Sequence, residues 1–186
     1  MSAYHTALER YRNERNAHHL DEVLFQHLLY LFPAILVAQA DGHVDTTEVM
    51  HLNKLVLYIT ENQSGFNEDQ LKAEIRYLMW NAQIWRTAFL NALKELLAET
   101  HKGREVIDLM ISTASSSTGS LINNILLSTL NPSNDSVKTS LNFDPAAEFI
   151  SDVEKNEIVN VAKYLGLFND KSILDTINLI MNLPKS

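Results

Sequence analysis

The sequence predicts an all-α fold, a single domain over residues 1–186 with roughly seven to nine helices in two pseudo-repeated halves. Three observations carry this. Apolar residues recur at intervals of three and four along most of the chain, the signature of amphipathic helices. Three segments match the helix-start capping box. With only 5 Gly and 4 Pro, and no alternating run long enough for a sheet, a turn-rich β fold is excluded.

Taken in order, Leu20, Val23, Leu24, His27, Leu28 and Leu31 form the first stripe, which puts His27 on a helix's inner face. Pro33 lacks the amide proton a helix interior uses, so it is expected to kink this run or open a new turn. Val49, Leu52, Leu55, Val56 and Ile59 make the next stripe. Leu71, Ile75, Leu78 and Met79 make a third, and Trp85, Ala88, Phe89, Ala92, Leu93, Leu96 and Leu97 a fourth. Trp80 and Trp85 both lie at helical spacing from apolar neighbours and are expected in the core. Val153, Ile158, Val161, Ala162 and Leu165 form a fifth stripe, with Gly166 placed as a left-handed C-cap. A last helix covers Ser172–Met181 and stops before Pro184. The starts Asp45–Glu48, Asn67–Gln70 and Ser151–Glu154 fit the same pattern, each cap contributing about 1 kcal/mol.

Residues 112–143 depart from this regularity. Ser112–Ser120 is rich in Ser and Thr and uncharged, and Ser133–Asn142 is polar again. Between them Leu121, Ile122, Ile125, Leu126, Leu127 and Leu130 suit one short helix, ended by Asn131-Pro132. The stretch reads as an insertion. Its Leu/Ile patch is either local packing or a docking surface for a protein partner or a second copy of the chain, which would make a homodimer.

Composition removes several function classes. The chain has 186 residues, enough to bury about 70% of its unfolded surface without a disulfide or structural metal. Zero cysteines excludes thiolate catalysis, cysteine-ligated zinc and iron–sulfur clusters. The net charge is −8, and the basic residues are spread rather than clustered, so nucleic acid is not an expected partner. The start Met1-Ser2-Ala3-Tyr4-His5 lacks the order of a signal peptide, and Leu20–Ala40 is broken by Asp21, Glu22, Gln26, His27, Pro33 and Gln39. A soluble cytoplasmic protein, without membrane association, is the expectation. No nucleophile elbow, dinucleotide fingerprint or phosphate loop is present.

One motif goes further. Asp41-Gly42-His43-Val44-Asp45-Thr46-Thr47-Glu48 has the form D-G-x-V-x-x-x-E, the second half of an EF-hand loop. Glycine turns the chain, and the flanking carboxylates then face a hard cation. The oxygen ligands that would precede Asp41 in a full loop are replaced by Val37 and Gln39. Two readings therefore stand together: a turn and helix cap alone, or a divalent-cation contact.

A shift of 106 residues aligns Asp45 with Ser151, Glu48 with Glu154, Leu52 with Ile158, Val56 with Ala162 and Ile59 with Leu165. Asp41 and Gly42 fall on Ala147 and Glu148, so the second copy lacks the Asp-Gly pair. The run Ala38-Gln39-Ala40-Asp41-Gly42-His43-Val44-Asp45-Thr46-Thr47-Glu48, together with Ile150-Ser151-Asp152-Val153-Glu154 and the following Ile158, Val161-Ala162 and Leu165-Gly166-Leu167, resembles the two motifs of the tellurite-resistance TerB-like family. The resemblance covers roughly residues 20–111 and 146–181. It implies an all-helical domain of two related halves with an acidic face for divalent metal. It further implies a non-enzymatic binding module of bacterial stress or tellurite resistance. Carried over by position, the metal ligands would be Asp41, Asp45, Glu48 and Glu154, and the cation calcium, manganese or magnesium.

Two competing readings come from other classes. Glu48-Val49-Met50-His51 is the Glu-x-x-His unit of di-metal carboxylate bundles, a helical enzyme that would need two further glutamates from among Glu22, Glu74 and Glu95; chance spacing is the plainer account. The remaining alternative is a purely structural or oligomerising module. His5, His18, His19 and His43 have no partner at helical spacing and are expected at the surface.

Overall fold

The computed structural model describes residues 2–17, 20–42, 49–54, 56, 68–115 and 150–182. These residues are all helix, turn and connection: α1 (Ala3–Arg15), α2 (Glu22–Ala38), α3 (described over 49–54), α4 (Glu68–Thr100), α5 (Gly103–Ala114), α6 (Asp152–Leu165), a 3₁₀ turn (Leu167–Asn169) and α7 (Lys171–Met181). The all-α expectation holds, with seven α-helices described. None of them is long and apolar enough to cross a membrane.

α2 is the axis of the fold. Asp21 starts it by accepting from the Leu24 amide at 2.7 Å, and nearly every residue from Leu24 to Ala38 is buried. The expected one-sided stripe is thus a helix buried almost all round, with α4, α5 and α6 packed against it. Val23, assigned to the inner stripe, is instead half exposed in the first turn. No new helix opens at Pro33. The proline forfeits one backbone bond, but its whole neighbourhood is core, and burial there outweighs a cost of about 3 kcal/mol.

The third and fourth stripes belong to one 33-residue helix, α4, jointed at Asn81 (φ −124°, ψ 17°). The Asn81 side-chain amide donates to the Tyr77 carbonyl at 2.8 Å, tying the joint. Leu78, Ala82, Trp85 and Phe89 line the inner face. Trp80 is two positions off that line, which at 100° per residue turns it outward, and it is 88% exposed. Only Trp85 meets the expectation of a core tryptophan. His27 is buried and His5 exposed, as expected; His18, His19 and His43 lie outside the described residues.

α1 and α5 carry stripes that the sequence analysis left unassigned. Tyr4, Ala7, Leu8 and Tyr11 pack α1 onto α4, with the Ser2 hydroxyl capping its start. Val106, Ile107, Leu109 and Met110 face α5 inward. Ser112 and Thr113, assigned to the insertion, are buried in the last turn of α5. The Thr113 hydroxyl bonds back to the Leu109 carbonyl at 2.9 Å, which removes the cost of burying it. The rest of the expected insertion, from residue 116, lies outside the described residues.

α6 begins with a complete capping box at Ser151 and Glu154 and ends at Gly166 with φ 77°, both as the sequence predicts. Val153 sits in its exposed first turn rather than in the core. Leu167 then lies against Gly103 so closely that a Cβ there would stand 2.5 Å from its Cδ2, which fixes the 3₁₀ turn onto α5. α7 starts on Asp170 and buries Ile173, Ile177 and Ile180. Arg86–Glu157 and Tyr164–Asn91 pairs bind α6 along α4.

The repeat has a physical counterpart among the described residues. Leu52 and Ile158 are both buried, as are Val56 and Ala162, while Lys54 and Asn160 are both exposed. Other aligned positions differ: His51 is fully buried and Glu157 only partly, while Lys155 is buried and Val49 only partly.

Candidate functional site

α2 runs out at Gln39, whose carbonyl accepts from the Gly42 amide at 3.0 Å. Closing that turn requires Gly42 at φ 81°, a left-handed conformation that costs an L-residue about 1–2 kcal/mol. Among the described residues, and apart from its chain neighbours, no heavy atom lies within 4 Å of where a Gly42 Cβ would sit, so there the backbone angle is what calls for glycine. Asp41 is exposed at the apex of this turn.

Glu154 is in the other half. Its Oε2 accepts from the Ser151 amide at 2.8 Å while the Ser151 hydroxyl accepts from the Glu154 amide at 3.2 Å. Here the carboxylate serves its own helix start. Asp45 and Glu48 lie outside the described residues. Among the described residues no three His, Asp or Glu side chains converge as a metal-holding group. Asp41 and Glu154 would therefore need Asp45 and Glu48 to complete one.

The glutamates named for a di-metal bundle are engaged separately. Glu22 is exposed in the first turn of α2. Glu95 reaches the start of α1, where Oε2 accepts from the Ala3 amide at 2.6 Å and the Tyr4 amide at 3.4 Å. Beside it opens a cavity of about 200 Å³ lined by Ser2, Tyr4, His5, Gln26, Leu96 and Glu99. Glu74 is buried, takes the Tyr11 hydroxyl at 2.6 Å, and has the Arg15 Nε 3.3 Å away. Arg15 also stacks over Tyr77, whose hydroxyl accepts from the Trp85 indole at 3.2 Å. Burial, then the Glu74 charge, raises the Tyr11 phenol far above its ordinary pKa, so Tyr11 stays a donor. Sequence reasoning missed this group. The spacing of Tyr4, Ala7, Leu8 and Tyr11 would have revealed the helix, but nothing local points from Tyr11 to a carboxylate 63 positions away.

His51 lies wholly in the core between α3 and α5. Its Nε2 stands 3.4 Å from the Ser112 hydroxyl, and its Nδ1 has no hydrogen-bond partner among the described residues. Burial, helped by the Lys54 charge, lowers its pKa to about 4, so it is neutral near pH 7. With serine and imidazole both buried, this pair offers no surface to a substrate. Asp108, one turn before Ser112, accepts from Arg104 Nε at 2.9 Å and 3.1 Å, and Arg104 Nη1 donates to the Ser172 carbonyl of α7. Burial pushes the Asp108 carboxyl up to about 6 against the opposing pull of Arg104.

Comparison with protein-family models, curated proteins and solved structures finds no match for this chain.

Proposed function

We propose that the protein is a non-enzymatic, TerB-like helical module of bacterial stress or tellurite resistance. It binds a divalent cation, a protein partner, or both, through an acidic face at the turn after α2. The supporting observation is the Gly42 turn. A left-handed glycine directly behind an exposed Asp41 is the backbone arrangement that a D-G-x-V-x-x-x-E half-loop needs to gather oxygen ligands. The shared burial of Leu52/Ile158 and Val56/Ala162 supports the second element of the reading, two related halves. Asp41 and Glu48 act as ligands, Asp45 as ligand or cap, and Glu154 as the contribution of the other half. In this reading a hard cation such as calcium, manganese or magnesium suits the all-carboxylate set.

Titration calorimetry with each of these ions tests the proposal. Saturable heat is expected for the wild type, and its loss for Asp41→Ala/Glu48→Ala. No heat, or heat untouched by the double substitution, overturns the cation site and leaves an interaction module.

A further inference from the structure

We draw no further inference here: the strongest candidate, the exposed apolar strip of Trp80 and Ile84 beside the Asn81 joint of α4, carries none because nothing in the structure shows what covers it.

Discussion

Tyr11 is the residue on which the N-terminal helix turns. Its ring meets Phe25, Tyr77, Trp85 and Phe89 edge-on or tilted, and its hydroxyl satisfies a buried carboxylate. Replacing it by phenylalanine keeps the ring contacts and strips Glu74 of its shortest donor. A hydrogen bond to a charged group contributes roughly 1.5–3 kcal/mol, so Tyr11→Phe is expected to cost about 2 kcal/mol in urea denaturation with an unchanged m-value. Tyr11→Phe/Glu74→Gln should cost less than the two single changes added together, because both act on one contact. An additive pair would show that the bond contributes nothing of its own. The two tryptophans allow a second check. Trp80 is 88% exposed and Trp85 fully buried, so Trp80→Phe should leave only blue-shifted emission that iodide does not quench. Residual quenchable emission would mean that Trp85 is reached by solvent. Burial of a tryptophan at helical spacing is decided by its angle around the axis, two positions from Leu78, and not by the company of other apolar residues.

At the scale of elements, starts and stops were the most legible features, because they depend on neighbours in the chain. The Ser151–Glu154 box and the Gly166 cap needed only local spacing to be seen. Ser151→Ala is accordingly expected to lower stability by about 1 kcal/mol, measured by thermal unfolding. Gly42→Ala should cost about the same through its backbone angle alone, while Gly42→Asn, which tolerates the left-handed region, should cost less. Equal losses for Ala and Asn would place the glycine's role elsewhere. What the sequence could not disclose is how elements join and how deeply they sink. Pro33 reads as a break until α2 is seen buried on nearly every side. Asn81 gives no local sign that two stripes form one jointed helix. Ser112 and Thr113 read as loop because their composition is polar, yet a hydroxyl that bonds its own helix backbone can be buried at little cost. The candidate site was legible only as a pattern around Asp41 and Gly42. The capping bond from the Ser151 amide to the Glu154 carboxylate was legible from spacing in the same way, since capping and ligation call on the same carboxylate.

Across the whole molecule, two titratable groups, the buried His51 facing α5 and the half-buried Asp108 on α5 itself, set opposing responses to acid. His51 titrates at about 4 in the fold against an ordinary 6.5, so the folded state binds fewer protons there than the unfolded chain. Its contribution is complete above pH 6.5 and is lost as pH falls toward 4. Asp108 titrates at about 6 against an ordinary 3.8, so the folded state binds more protons, and stability declines as pH rises from 3.8 toward 6. Between those limits each group changes stability by about 1.4 kcal/mol per pH unit, with opposite sign, and the two largely cancel. Single variants separate them. Asp108→Asn keeps an oxygen for Arg104 and removes the cost of ionising a half-buried carboxyl; it should stabilise the protein at pH 7 by an amount on the order of 2–3 kcal/mol. That gain should fade as pH falls through 6 toward 4, where the wild-type carboxyl becomes protonated. His51→Gln should show the converse, a relative gain that appears only as pH drops below 6.5. Subtracting the wild-type denaturation curve at each pH removes the acid response shared with the surface carboxylates. Difference curves flat from pH 4 to 7 would mean that neither side chain is held away from water as the packing around α5 requires.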